Sequence, residues 1–287
     1  MRTEADVKSL PLLARGGQAD IFDYGSGKVL RYPRRAQDYD RMRYEYAVYS
    51  SLAASGIAMP KVFELMEVDG TPAIVMERIC GPSMKQELSK APHRIKEKGR
   101  ELAEMHLEVA GARADPVLRD AKEKAEHCIT ESRLISHSAK KELLDILRPL
   151  PGGAEVCHGD FHPGNILRSG GRNYLIDWSA ASRGDFTSDV ANTYLLLKTV
   201  PRLPHVGPLV HRIQKLLGNI ISETYLAAVA DARRIDMEAF SKWVLVKAAE
   251  RTLCGLPSEM SGLESFIALC LETRKNDGRE DRFHEMI

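Results

Sequence analysis

Two neighbouring segments gather most of the side chains able to do chemistry. They are Cys157-His158-Gly159-Asp160-Phe161-His162-Pro163-Gly164-Asn165-Ile166-Leu167 and Tyr174-Leu175-Ile176-Asp177-Trp178. Between them, Ser169-Gly170-Gly171-Arg172 has the composition of a tight turn, flanked by Ile166-Leu167-Arg168 and Asn173 to Ile176. A two-residue Gly170-Gly171 turn makes a hairpin of this stretch and puts Asn165 and Asp177 within one residue of direct opposition. Directly opposed residues sit about 4.5–5.5 Å apart. An amide oxygen and a carboxylate at the open end of a hairpin can share one hard cation. Mg²⁺ is commonly held by one or two such oxygens, with phosphates and water supplying the rest. Asp160 lies in a loop stiffened by Pro163 and loosened at Gly164. It is a candidate to orient or deprotonate a nucleophile beside that cation, since catalytic groups concentrate on loops held by a rigid scaffold.

The elements that must position these groups fall into a β-rich first part and a helical second part. Ile21 to Tyr24, Gly25-Ser26-Gly27, and Lys28 to Tyr32 form a hairpin pattern with Gly at the turn. Ala14-Arg15-Gly16-Gly17-Gln18-Ala19 upstream is a Gly-containing loop between strands. Residues 38–55 read as a helix, with Asp38 a candidate N-cap and Gly56 a stop. Val62 to Val68 and Ala73 to Glu77 form a second hairpin around an Asp69-Gly70 turn. After Gly81-Pro82 the spacing becomes helical over 94–110 and, as two helices, over 117–148. A strand-and-turn island covers 155–177, and helices follow over about 188–199, 205–230, 236–253 and 259–274. Trp243, Leu245, Met260 and Leu269 are expected in the core of the later helices. Segregated strands and helices of this kind argue an α+β fold and not alternating βαβ units.

Composition narrows the function. Of 287 residues 44% are apolar and 28% charged, values of a globular protein that exclude disordered, collagenous, coiled-coil and small disulfide-scaffold classes. A formal net charge of +1 gives no electrostatic reason to expect nucleic acid or an anionic membrane surface as a partner. The five cysteines are odd in number, scattered and free of any CxxC, so reduced thiols in a cytoplasmic protein are expected. The N-terminus lacks the apolar core of a signal peptide, and no apolar run reaches the roughly 18 residues of a membrane span.

His158-Gly159-Asp160-Phe161-His162-Pro163-Gly164-Asn165 together with Ile176-Asp177-Trp178 resembles the aminoglycoside phosphotransferase and choline kinase-like family, whose fold is protein-kinase-like. The resemblance implies a bilobal α+β chain. A β-rich nucleotide-binding lobe would cover residues 1–78, a hinge 79–83, and a helical catalytic and acceptor-binding lobe 84–287, with the nucleotide in the cleft between. It implies that Asp160 is the catalytic Asp, that Asn165 and Asp177 are the Mg²⁺ ligands, and that Leu167 and Ile176 lie near the adenine. His158 would hold the loop without reacting. Gly16 and Gly17 with Ile21 look like a reduced Gly-rich loop over the nucleotide. Arg31, in Val29-Leu30-Arg31-Tyr32, aligns with a phosphate-binding Lys, and its guanidinium keeps the charge while offering a bidentate fork. In Ile74 to Ile79, Met76 looks like the gatekeeper, and the backbone at Glu77 and Ile79 would pair with the adenine. Asp189 is expected to brace the catalytic loop from inside. Asp185 would do the same, line the acceptor site, or cap the next helix.

Glu45 adds a reading of its own. On the 38–55 helix it shares a face with Met42, Tyr46, Tyr49, Leu52 and Ala53. An acid on a core-facing stripe needs a partner, because a buried unpaired charge is very costly. Arg31 on the adjoining strand is the candidate.

The expected reaction is transfer of the γ-phosphoryl group of ATP (or GTP) to a hydroxyl of a small molecule, with Mg²⁺. A catalytically silent nucleotide-binding module and a protein kinase are the rival readings. All three metal and base residues are present, against the first. No long activation segment follows Asp177-Trp178, against the second. The acceptor stays open between an aminoglycoside-like compound and a less charged sugar, amino alcohol or vitamin alcohol. Acidic and basic residues balance over 183–287, which favours the less charged class.

Overall fold

The computed structural model describes residues 3–199, 207–255, 257–277 and 282–286. In chain order the elements are α1 (Glu4–Lys8), β1 (Leu12–Arg15), β2 (Ala19–Gly25), β3 (Lys28–Pro33), α2 (Tyr39–Ser51), β4 (Val62–Val68), β5 (Thr71–Glu77) and α3 (Met84–Lys90). There follow α4 (Ile95–Ala110), α5 (Ala121–Glu131), α6 (His137–Leu147), β6 (Glu155–Cys157), β7 (Ile166–Ser169), β8 (Arg172–Leu175) and β9 (Ser182–Gly184). The chain ends with α7 (Phe186–Lys198), α8 (Pro208–Ala232), α9 (Met237–Cys254) and α10 (Met260–Asp277). Residues 205 and 206, where the spacing predicts the start of a helix, lie outside the described residues. Two compact units result: Met1–Gln86 with Gly164–Ala181, and Glu87–Pro163 with Ser182–Ile287.

The first unit is built on an antiparallel sheet of order β1-β2-β3-β5-β4. Its tight turns follow from residues that tolerate a left-handed backbone: Ser26-Gly27, with φ 51° and 71°, and Asp69-Gly70, with φ 48° and 77°. One face of the sheet buries Phe22, Leu30, Tyr32, Val68, Ala73 and Val75 together with Val7 of α1. Each large apolar side chain so buried stabilises the unit by about 1.5–3 kcal/mol. The short α1 corrects the expectation of a single helix in the first 80 residues. Its Thr3 cap, whose hydroxyl accepts the Asp6 N–H while the Asp6 carboxylate accepts the Thr3 N–H, is a capping box too brief to register as periodicity.

Helix α2 buries Met42, Glu45, Val48 and Tyr49. Val48 thus takes the place expected of Tyr46 and Ala53. Asp38 does stand at the N-cap, but it is helical in backbone and makes no side-chain cap. Strands β7 and β8 pair Ile166 with Leu175 and Leu167 with Tyr174, the register set by a Gly170-Gly171 turn at φ 57° and 78°. Two backbone bonds hold this hairpin in its unit: Arg168 N–H donates to Pro82 O at 2.9 Å, and Leu175 N–H to Ala58 O at 2.8 Å. The first requires Gly81, since a Cβ there would stand 1.8 Å from Arg168 O.

In the second unit α4 packs on α8, α7 on α8 and α9, and α5 on α9. The small sheet of β6 and β9 pairs Glu155 with Gly184 and Cys157 with Ser182. Trp243 and Leu245 are fully buried as expected, whereas Leu269 is 47% exposed, on the outer side of α10. None of the five cysteines forms a disulfide. Among the described residues no helix is long and apolar enough to cross a membrane.

Candidate active site

The hairpin geometry places the first group of candidate residues. Asn165 O accepts the Ile176 N–H at 2.9 Å, so Asn165 faces Ile176 and Asp177 lies one residue beyond. Asp177 then leaves the strand in a left-handed conformation, φ 64° and ψ 69°, which for a non-glycine costs on the order of 1–3 kcal/mol. Such a turn-out re-aims its carboxylate. Ser179 Oγ donates to Asp177 Oδ1 at 2.8 Å, and Arg31 Nη2 donates to the same oxygen at 3.2 Å. Trp178 is fully buried and meets Tyr49 edge-on at 6.5 Å, which anchors the segment on α2.

Arg31 is the centre of this group. On β3 it pairs with Ile21 on one side and Ile74 on the other, at the middle of the sheet. Its Nε donates to Glu45 Oε2 at 2.8 Å, with the Glu45 side chain 1% exposed. Burial works against the Arg31 charge, but Glu45 and then Asp177 outweigh it and hold the guanidinium protonated. Burial pushes Glu45 up to about 7, against the pull of Arg31 and with a further push from Asp177. Glu45 Oε1 is buried with no hydrogen-bond partner among the described residues, which explains the strength of that push.

The remaining residues singled out in the first unit lie around it. Gly16 donates its N–H to Ala19 O at 2.9 Å, closing the turn between β1 and β2 with Gly17 open to solvent. Met76 is buried opposite Val29, and Glu77 faces Lys28 and donates its N–H to Lys61 O at 2.8 Å. Ile79, Leu167 and Ile176 are half-buried, and Leu167 bridges to Ser83. Gly16, Gly17, Ile21, Arg31, Glu45, Met76, Glu77, Ile79, Asn165, Leu167, Ile176 and Asp177 therefore all belong to one unit.

Asp160 belongs to the other. Its loop leaves β6 and is pinned by α7. Asp189 accepts the N–H groups of His158, at 2.5 Å, and Gly159, at 2.9 Å, while Asn192 Nδ2 donates to Gly159 O at 2.8 Å. The Asp160 N–H donates to His158 Nδ1 at 3.2 Å, so the buried His158 holds the loop through its ring. Burial would raise Asp160. The His162 hydrogen bond and charge, followed by His158 and Arg251, overcome it and hold the carboxyl at about 2. Asp185 resolves as the N-cap of α7, accepting the Thr187 N–H at 2.8 Å.

Sequence reasoning missed His106. On α4 it bridges Asp189, at 2.9 Å, and the Tyr225 hydroxyl, at 2.6 Å, and it stacks on Phe161 of the loop with ring centres 4.1 Å apart. Its position four residues after Leu102 and three before Val109 on the apolar face was the available signal. Burial would raise Asp189 as well, but His106, then His158 and the Gly159 N–H, hold it at about 2. Ser179, the neighbour of Asp177, and Gln18, 3.4 Å from the Ser179 hydroxyl, are further polar groups that no motif announced.

Comparison with known proteins decides the family. A profile of the phosphotransferase enzyme family matches residues 21–215. The chain belongs to this family. It is an enzyme, a phosphotransferase of the small-molecule kind. No curated protein matches the sequence. Among solved structures it is similar to a choline/ethanolamine kinase family protein from Mesorhizobium loti, at 17% identity and TM-score 0.63, covering 97% of this chain and 94% of that one. It is also similar to a thermostable mutant of aminoglycoside phosphotransferase APH(4)-Ia in ternary complex with AMP-PNP and hygromycin B, at 18% identity and TM-score 0.62, covering 96% of each. A third is an aminoglycoside-3'-phosphotransferase of type VIII, at 18% identity and TM-score 0.60, covering 84% of this phosphotransferase and 91% of that chain. The fold is the kinase-like α+β class.

Proposed function

We propose that this phosphotransferase moves the γ-phosphoryl group of ATP (or GTP) to a hydroxyl of a small molecule, with Mg²⁺ as its metal. The observation that supports this most is the Arg31–Glu45 pair joined to Asp177. A cation clamped from behind by a buried acid presents its remaining donors in a fixed direction, which is what a phosphate site requires. Asn165 and Asp177 suit a hard cation by their donor chemistry. Both are oxygen donors, and among the described residues no cluster of three His, Cys, Asp or Glu offers a cage that would select another metal. When bound, Mg²⁺ neutralises charge on the phosphates.

Arg31 binds a phosphate oxygen and Glu45 keeps its guanidinium aimed. Gly16, Gly17 and Ile21 cover the nucleotide. Met76, Leu167 and Ile176 form its apolar surround, and the backbone at Glu77 and Ile79, within a 79–83 hinge, reads the base edge. Asp160, held at about 2, is ionised throughout the physiological range. Such a weak base orients the acceptor hydroxyl and takes its proton late, as the new P–O bond forms.

For the acceptor, a sugar, amino alcohol or vitamin-like alcohol is favoured over a polycationic aminoglycoside. Acidic and basic residues balance over 183–287, so composition offers no acidic excess to gather the several ammonium groups of a polycation. Steady-state rates on neutral and singly charged alcohols beside kanamycin- and gentamicin-type compounds test this. Polycation turnover with kcat/KM within about 10⁴–10⁸ M⁻¹s⁻¹ would reverse the preference.

A further inference from the structure

Helix α8 is apolar where nothing among the described residues covers it. None of its first ten residues, Pro208 to Leu217, is buried; the buried set begins at Gly218. Yet this half carries Leu209, Val210, Ile213 and Leu216, exposed by 70%, 51%, 48% and 59%. Leu209, Ile213, Leu216 and Ile220 follow one another at steps of four, three and four, the spacing of a helix–helix seam. Ala227 continues the same stripe. A segment this short is marginal as a helix without packing.

The second half of α8 presents the counterpart on the same face. Ile220, Thr224, Ala227 and Ala228, with Ala103 and Leu107 of α4, line an open groove of about 910 Å³. Thus one helical face is a ridge of large side chains over its first half and a groove floored by small ones over its second. Charge is divided in the same way. The first half of α8 carries Arg212 and Lys215 and no acid; of the two acids in the second half, Glu223 is engaged by Lys198 and Tyr194, at 2.8 and 2.7 Å, and Asp231 is the one left for a partner's cation. The groove also admits Lys96, Arg100 and Glu104 of α4 at its rim.

We propose that this face is the interface of a two-fold dimer, its occupant a second copy of the chain. A two-fold interface must be self-complementary, and α8 is so in both shape and charge when it pairs with itself antiparallel. With the axis at Ile220, Ile213 of each copy faces Ala227 of the other, Leu216 faces Thr224, and Arg212 comes within one turn of Asp231. Each ridge then fills the other copy's groove, and Arg212 of each copy meets Asp231 of the other.

Sedimentation velocity and light scattering on the full chain from about 1 to 100 µM test the proposal. The expected mass is twice the 32.0 kDa of the chain. Leu216→Glu should raise the dissociation constant at least tenfold while the helical circular dichroism and the melting temperature of the monomer stay in place. Arg212→Glu and Asp231→Arg should each weaken the dimer, and the double variant should restore it. A monomer throughout the range would overturn the proposal. So would a loss of stability without dissociation in Leu216→Glu, which would mean the ridge is covered within one chain. Failure of the charge swap to rescue would overturn the antiparallel register.

Discussion

Arg31 and Asp177, 146 positions apart in the sequence, share a hydrogen bond of 3.2 Å, and the same guanidinium holds Glu45 at 2.8 Å. Strand β3, helix α2 and the end of the β7–β8 hairpin are thereby tied to one cation. Three buried or half-buried charges make this the electrostatic keystone of the first unit. In the proposed reaction the Nε–Glu45 bond would stay, Nη2 would serve a phosphate oxygen, and Asp177 would be one of the residues that hold the metal.

Truncating Arg31 should therefore cost both stability and activity. Arg31→Ala leaves Glu45 buried without its hydrogen-bond donor; a carboxyl already raised to about 7 then keeps its proton, and the penalty is about 1–3 kcal/mol, that of an unsatisfied buried polar group. Arg31→Lys should keep part of the activity, since the charge survives but the fork does not. Denaturant unfolding and nucleotide affinity, measured on both variants, check this. Equal nucleotide binding by Arg31→Ala and wild type would remove Arg31 from the phosphate site.

Asp160→Ala should retain nucleotide binding and lose transfer by about 10²–10⁴-fold. Asp177→Ala should weaken binding of the Mg²⁺–nucleotide as well. Calorimetric titration with Mg²⁺–nucleotide separates the two variants, and identical titrations would contradict the division of roles between them.

Gly81→Ala should destabilise the first unit by roughly 1–3 kcal/mol, the usual cost of forcing atoms into a packed site. The new Cβ would meet Arg168 O at 1.8 Å, a backbone atom that moves only with the hairpin. Loss of the Arg168–Pro82 bond should appear as faster amide exchange at Arg168. Unchanged thermal unfolding in Gly81→Ala would mean that the hairpin is not held there.

What the sequence made legible was whatever local chemistry dictates. Gly170-Gly171 closes a two-residue turn, and either primed turn type gives the same register of β7 on β8, and with it the placement of Asn165 beside Ile176 and Asp177. Glu45 was legible because an acid on an apolar stripe demands a cation. Helix α1 was not, since five residues cannot show a period. The pairing of β6 with β9 was hidden because three-residue strands 25 or so positions apart are chosen by tertiary packing. His106 escaped because its partners, Asp189 and Tyr225, lie far along the chain.

Stability should fall steeply in acid. Asp189 and Glu250 are held at about 2, below their ordinary 3.8 and 4.5. For Asp189 the cause is given above. For Glu250, burial is outweighed by Lys124 and Lys247, each at 2.8 Å. The unfolded chain binds these protons first, so their stabilisation is present above about pH 4.5 and is lost as pH falls toward 2, on the order of 2–3 kcal/mol each. Glu45 has the opposite sign. Its folded value of about 7 exceeds the ordinary 4.5, so its contribution is present below about pH 4.5 and is lost as pH rises through 7. Urea midpoints from pH 2 to 8 should rise through the first window and flatten or turn down through the second. A midpoint constant from pH 4.5 down to 2 would contradict the assignment of Asp189 and Glu250.

The transfer itself can be followed. A nucleoside triphosphate labelled in its γ-phosphate, incubated with Mg²⁺, the enzyme and a panel of sugars, amino alcohols and vitamin-like alcohols, reads it directly. Label should appear in at least one small alcohol and be lost when Asp160→Ala replaces the wild type. Nucleotide bound without label passing to any small alcohol, or transfer undiminished in Asp160→Ala, would contradict it.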